Sequence, residues 1–368
     1  MKELFKTLII TFQQKGVPAI HPRELDIKPQ TNLRKAVVIV GPRRSGKTYY
    51  LFELIQQELQ EKTIEDIAYI NFEDNRIPPM NNIQLNQLSE AYAELYPEQE
   101  EPTFYLDEIQ NITNWEKYVR TLLDQGMKVI ITGSNAKLLS KEIATALRGR
   151  SITYTLLPYS VKELLKQEKI ELSKNWIYDT KKRNTIKKIV RKHAEKGGFP
   201  ELQLIEEQRE EKKIIDEYFT TLLFKDIAER YNIRNTTTLK LLLQYLANNY
   251  ASYYTINAFH NYAKSQGHKS STSTVHELTQ AIDGAHFAFF VKKYDKSLKK
   301  QESNPRKTYL IDTAYITHLT LRKDKERILE NQIAIELLRQ EKEIYYHATE
   351  KTECDFITNP KTKPEAIQ

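Results

Sequence analysis

Eight residues, Gly41-Pro42-Arg43-Arg44-Ser45-Gly46-Lys47-Thr48, fit the pattern G-x-x-x-x-G-K-[ST]. Glycines at its two ends let a backbone close around a polyphosphate, and N–H groups at a helix start point at the anion. Lys47 then reaches the β- and γ-phosphates, and the Thr48 hydroxyl ligates Mg²⁺. Tyr49 follows as the next candidate contact. A second acidic centre fits the same chemistry. The apolar run Thr103-Phe104-Tyr105-Leu106 ends in Asp107-Glu108, about sixty residues after the loop. Asp107 is expected to hold the Mg²⁺ shell, and Glu108 to orient and polarise an attacking water. Glu73, at the end of another apolar run, is the next candidate base.

These residues need strands and a helix to hold them. Ala36–Val40 reads as a buried strand, and residues 49–55 have helical apolar spacing, so the loop lies between strand and helix as the pattern requires. Further strands are expected at 67–72, 103–106, 128–132 and 151–157. The fourth ends in Gly133-Ser134-Asn135, where Ser134 or Asn135 can sense the γ-phosphate, cap the next helix, or do both. Arg148 and Arg150 precede the fifth strand. Either can act as an arginine finger towards a neighbouring subunit, which implies a homo-oligomer, or form a solvated basic turn. Residues 1–12 read as an amphipathic helix, and 17–24 as an irregular segment that lines the adenine or merely leads in.

The chain has 368 residues, 40% of them hydrophobic and 29% charged, with mean hydropathy −0.62. That composition fits a globular protein of two or three domains. No run approaches a membrane span. The single cysteine, Cys354, excludes an internal disulfide and suits the cytoplasm. A net charge of +7 permits a nucleic-acid partner without requiring one.

In the second half, helical patterns at 236–249, 256–265 and 270–282 precede strands at 287–291 and 308–311. Three helices and a hairpin form the winged-helix pattern. The excursion between the strands holds Lys292, Lys293, Lys296, Lys299, Lys300, Arg306 and Lys307 against Asp295 and Glu302. DNA is the expected partner, with Lys269, Lys296, Lys299 and Lys300 on phosphates and Ser271 and Thr274 near bases.

The motifs Gly-Pro-Arg-Arg-Ser-Gly-Lys-Thr, Tyr-Leu-Asp-Glu-Ile-Gln, Ile-Thr-Gly-Ser-Asn, Leu-Arg-Gly-Arg, Leu-Pro-Tyr-Ser and Gly-Gly-Phe-Pro-Glu together resemble the archaeal and bacterial AAA+-like ATPases. That family carries an ATPase of the AAA_14 type and a nuclease-like C-terminal part often labelled DUF4143. The resemblance is clear over roughly residues 30–201 and fainter beyond. It implies an α/β fold with a P-loop core (residues 1–157, five parallel strands in the order 5-1-4-3-2), a helical lid (158–231) and ATP hydrolysis. The winged helix then covers 232–320. Residues 321–368 are similar to the PD-(D/E)xK nuclease fold, in which Glu330 and Asp355 would be the acids of a metal site. The chain ends where the E-x-K strand should run, so the part is either trimmed or degenerate. Two functions fit: an ATP-driven machine acting on DNA, or a slow nucleotide-dependent switch or scaffold binding a protein or DNA partner.

Overall fold

The structure is a computed structural model and describes residues 1–27, 34–134, 147, 149–321, 323–350 and 352–368. The chain divides into two compact units, Met1–Leu156 and Leu157–Gln368.

In the first unit, helix α1 (Lys2–Lys15) is followed by β1 (Ala36–Val40), α2 (Lys47–Glu58), β2 (Ile67–Asn71), α3 (Asn82–Leu85) and α4 (Gln87–Leu95). Then come β3 (Thr103–Asp107), α5 (Trp115–Asp124), β4 (Lys128–Gly133) and β5 (Ser151–Thr155). The five strands form one parallel sheet in the order β2-β3-β4-β1-β5, the order expected. β1 and β3 are buried at every position because helices cover both faces, which is why they read as unbroken apolar runs. α1 buries Phe5, Leu8, Ile9 and Phe12, a helical stripe, and Lys2 and Lys6 pair with Glu90 and Glu94 of α4.

The second unit continues with α6 (Val161–Gln167), α7 (Thr180–Lys196), α8 (Pro200–Gln203) and α9 (Gln208–Thr221), which runs into a π-helical stretch, Leu222–Glu229. Next are α10 (Thr236–Asn248), β6 (Ser252–Tyr254), α11 (Ile256–Ser265), α12 (Thr272–Gly284), β7 (Ala288–Lys293), α13 (Leu298–Ser303) and β8 (Arg306–Leu310). The chain closes with α14 (Thr313–Leu319), α15 (Lys325–Arg339), β9 (Ile344–Ala348), β10 (Glu353–Thr358) and β11 (Glu365–Ile367). Six strands form one mixed sheet, β11-β10-β9-β7-β8-β6, in which only the β7–β9 pair is parallel. The expected helices and hairpin strands are present. The excursion between β7 and β8 also contains α13, and β6, too short to announce itself in the sequence, pairs with β8.

A buried polar knot organises this unit. Gly197 has φ 78°, and a Cβ there would stand 1.9 Å from the Asp312 carboxylate; one on Gly198 would stand 2.3 Å from the Tyr159 carbonyl. Only glycines let these backbones meet. The Gly198 and Ala314 N–H groups donate to Asp312, each at 2.8 Å. His193 Nε2 donates to the Tyr159 carbonyl at 2.8 Å, so Nδ1 accepts from the Gln332 amide, also at 2.8 Å. That tautomer is neutral. Burial pushes the His193 imidazole down to about 4 and the Asp312 carboxyl up to about 7, the latter against its two N–H donors.

The two shifts act oppositely on stability. From about 4 to 6.5 the unfolded chain protonates His193 and the folded chain does not, so this residue makes stability rise with pH. Over 3.8 to about 7 the folded chain keeps the Asp312 proton that the unfolded chain has lost, so stability falls as pH rises. These two contributions therefore nearly cancel where the windows overlap. Asp312→Asn should tilt the denaturation midpoint upward with pH, and His193→Gln downward. Chemical denaturation from pH 4 to 8 measures both; slopes equal to the parent's in both variants would refute the assignment.

Candidate nucleotide and metal site

Gly41 closes β1, and a Cβ there would lie 2.1 Å from the Leu156 carbonyl, so only glycine allows the loop to start here. Arg44 and Gly46 take positive φ, 68° and 95°, which turns the backbone sharply before α2. Arg23, buried in the irregular segment, donates from its guanidinium to the Ser45 carbonyl at 2.9 Å, and its backbone N–H donates to Glu53 of α2 at 3.1 Å. Tyr50 donates to the Leu25 carbonyl at 2.6 Å. The segment thus braces the loop from outside, a role the sequence did not announce.

Lys47 is 4% exposed; its ammonium donates to the Pro42 and Gly41 carbonyls at 3.2 and 3.3 Å and lies 3.3 Å from the Glu108 carboxylate. Asp107 is fully buried and receives three hydroxyls. Thr48 donates at 2.7 Å and Tyr69 at 3.1 Å to one oxygen, and Thr132 donates to the other. Thr132 also accepts the Glu108 N–H at 2.9 Å. Register explains this. Leu106 pairs with Ile131, so the next residues, Asp107 and Thr132, stand side by side, while Asn71 pairs with Asp107 and Tyr69 lies two residues before it. Neither Thr132 nor Tyr69 was picked out in the sequence; a hydroxyl inside an apolar strand beside an acidic strand end is the signal that finds them.

Burial, reinforced by the neighbouring Glu108 charge, pushes Asp107 up to about 6. Burial also acts to raise Glu108, but Lys47, Gln110 and Arg43 outweigh it and hold that carboxyl below its ordinary range. Gln110 donates to the second Glu108 oxygen. Glu108 sits at φ 51°, ψ 46°, a left-handed conformation that costs a side-chain-bearing residue about 1–3 kcal/mol. The strained carboxylate thus stands at the end of β3, paired with the loop lysine.

The residues present fit a triphosphate with Mg²⁺. The Ser45 hydroxyl is buried inside the loop without a hydrogen-bond partner. Thr48 and Asp107 place a hydroxyl and a carboxylate in contact, the oxygen donors that Mg²⁺ takes. The site also lies at the C-terminal ends of parallel strands, where open α/β sheets bind ligands. A concavity of about 390 Å³ lined by Glu58, Lys62, Tyr105 and Lys128 is at the opposite end of the strands and shares none of these groups.

The remaining candidates divide. Pro42 is buried within the loop and Tyr49 follows it, 57% exposed. Arg43 pairs with Glu73 at 2.8 Å. Ser134 is buried just past β4. Arg150 is engaged by Asp124. Asn135 and Arg148 lie outside the described residues. In the second unit, Lys269, Lys296, Lys299 and Lys300 are exposed. Lys292 and Arg306 both pair with Glu302, which lessens the charge expected of the excursion. Ser271 caps α12 by accepting the Thr274 N–H at 3.1 Å, so these two residues serve their own helix start.

Glu330 and Asp355 do converge, but on a lysine. Lys307, 4% exposed, lies 3.1 Å from Glu330, 2.9 Å from Glu353 and 2.8 Å from Asp355. Tyr309 donates to Glu330 at 2.7 Å and Tyr253 to Glu353 at 3.0 Å. An ammonium stands among the carboxylates. Among the described residues no group of His, Cys, Asp and Glu is arranged to hold a metal ion, and no helix is long and apolar enough to cross a membrane.

Residues 33–165 match the AAA domain family, and 187–326 match a domain of unknown function, DUF8612. An uncharacterized protein of Methanocaldococcus jannaschii is 35% identical over 350 residues, covering 94% of this chain and 76% of its own length. An uncharacterized protein of Haemophilus influenzae is 30% identical over 326 residues, 87% of this chain and 78% of its own. The chain belongs to one family with these archaeal and bacterial proteins, and its first unit is an AAA-type P-loop domain.

If Lys307 takes the place of a cation, removing it leaves uncompensated carboxylates. Lys307→Met should lower stability through mutual repulsion of the three carboxylates, which water partly screens because they are not fully buried. Without nucleotide, millimolar Mn²⁺ should then raise the melting temperature of the variant and leave the parent unmoved. Equal responses to Mn²⁺ would count against the substitution.

Proposed function

We propose that the chain binds Mg²⁺–ATP on residues 41–48, hydrolyses it, and uses the energy to act on DNA. The observation that carries the first part is the convergence of Lys47, Thr48, Asp107 and Glu108 at one strand end, with the Ser45 hydroxyl unsatisfied inside the loop. Thr48 and Asp107 would hold the metal, which neutralises phosphate charge when bound. Lys47 is placed to leave Glu108 for the phosphates, and that exchange frees the Glu108 carboxylate to take a proton from water. Thr132 ties both acids to β4, so the orientation of one is fixed by the other.

The DNA reading rests on α10, β6, α11, α12, β7 and β8, whose order and antiparallel pairing support a winged helix. α12 presents Thr272, Ser273 and His276 as exposed side chains, and Lys296, Lys299 and Lys300 crowd α13 and its approach. The C-terminal part acts structurally in this reading, since Lys307 occupies its acids. An arginine finger in an oligomer would fall to Arg148, or to Arg150 once freed from Asp124. The alternative, a slow switch, draws on the Glu108 ties to Lys47 and Gln110, which hold the base out of action until nucleotide arrives.

Three substitutions test the chemistry. Lys47→Ala should abolish ATP binding by calorimetry. Glu108→Gln should bind ATP but release phosphate about 10²–10⁴-fold more slowly. Thr132→Val should keep binding and lose about tenfold or more in turnover, since it only positions the acids. Normal turnover in Glu108→Gln would place the base elsewhere, with Glu73 next.

For DNA, turnover should rise on adding duplex, branched or single-stranded DNA if the machine reading holds, and stay level under the switch reading. Replacing Lys296, Lys299 and Lys300 with alanine should lower duplex affinity alike for all sequences and flatten its salt slope by about one unit per lost contact. Identical salt dependence in parent and variant would remove the wing from the interface.

A further inference from the structure

Helix α7 holds eight lysines and arginines against Glu195 alone, a net +7 in 17 residues. The whole chain carries +7, so the rest is neutral: 48 of the 56 basic residues face 48 of the 49 acidic ones. The positive excess is thus one helix, not a property spread over the fold.

That helix has two faces. Ile186, His193 and Lys196 are buried, and His193 belongs to the polar knot. Lys181, Lys187, Lys188, Arg191 and Lys192 are all exposed. At 100° per residue these five fall within an arc of about 140°, opposite the buried side, and span about 16 Å along the axis. Among the described residues none has an ion-pair partner, although elsewhere exposed bases do, as with Arg76, Arg150 and Lys361. Like charges at i, i+3 and i+4 destabilise a helix. An unpaired row of them, on a helix fixed from behind, is set against an anion outside the chain.

We propose that this face of α7 binds the sugar–phosphate backbone of a nucleic acid. Five cations over about 16 Å approach the spacing of phosphates along one strand, about 3.4 Å per step. The apolar side of α7 is already buried in the unit, so the helix has no face to sink into a bilayer. Asn184, exposed between the bases, adds a hydrogen-bonding group suited to phosphate. The surface shares its partner with the proposed function but needs neither the wing nor ATP hydrolysis.

The test compares the full chain with a variant carrying Lys181→Gln, Lys187→Gln, Lys188→Gln, Arg191→Gln and Lys192→Gln, and with the Lys296, Lys299 and Lys300 variant. Binding to fluorescent 30-base-pair DNA and to a 30-nucleotide single strand is titrated from 50 to 200 mM salt, and circular dichroism melts check folding. The α7 variant should melt no lower than the parent, lose about tenfold or more in affinity for nucleic acid, and flatten the salt slope by about four units. If it keeps the parent's affinity and slope while the wing variant loses both, this proposal fails and the wing stands. If the parent binds neither nucleic acid, both fail. Leu172, Ile177 and Tyr178 are exposed just before α7, so vesicles with one third phosphatidylserine form a further arm. Parent binding to those vesicles but not to nucleic acid would overturn the proposal in favour of a lipid surface.

Discussion

A charge at the end of a buried strand has to be satisfied, and Asp107 sets the terms for the first unit. It is fully buried, so its negative form exists only if donors replace water. Three elements each give one hydroxyl: α2 through Thr48, β2 through Tyr69 and β4 through Thr132. The sheet order β2-β3-β4 with β1 beyond makes this possible, because β3 has a neighbour on each side and α2 enters from the loop. Hydrogen bonds to a charged group are worth about 1.5–3 kcal/mol each, while desolvating an ion costs several. Desolvation, with the Glu108 charge beside it, outweighs the hydroxyls, which is why Asp107 rises to about 6. A carboxylate left in that position, with hydroxyls but no cation bonded to it, retains a preference for one.

The second unit meets the same constraint in the opposite way. Glu330, Glu353 and Asp355 share the ammonium of Lys307, and the acids lie against a positive charge supplied by the chain. Asp312 takes a third route, two backbone N–H groups and no cation, and burial pushes it up to about 7. Three acidic sites in one chain therefore differ in what neutralises them. Of these, only the Asp107 site joins unmet electrostatic demand to a phosphate-shaped loop.

The phosphate loop and the acidic pair were legible in the sequence because each is local, whereas the order of the parallel sheet followed from the family resemblance. A glycine pattern lies between a strand and a helix, and an apolar run ends in two acids. Thr132 and Tyr69 were not, since their role comes from register across strands and both are ordinary strand formers. Lys307 read as one more base in a basic excursion. Its acids Glu330 and Asp355 are 23 and 48 residues further along, so only the fold of β8 against β10 and α15 reveals the ion pairs. β6 has three residues, too few for a period to register. The basic face of α7 is local as well, eight bases against one acid within 17 residues, but which of those bases are exposed depends on the packing of its other side. Ion pairs with Glu302 remove part of the excess assigned to the excursion between β7 and β8.

Two kinds of phosphate, a free triphosphate and a polymer backbone, need not compete for the same cations. Lys47 is 4% exposed and held by Glu108 and two carbonyls, so only a small anion that enters the loop can displace Glu108. A nucleic-acid strand is too broad for such a niche, and its affinity comes from several exposed contacts that release counterions together. The α7 face has the opposite properties: its five bases are exposed and spread along the helix. Selection between the two anions thus follows from burial. In the proposed function the buried lysine would discriminate by shape and the exposed row by length, and salt should weaken the second far more than the first, because a Debye length of about 8 Å at physiological ionic strength screens exposed charges and leaves buried pairs largely untouched.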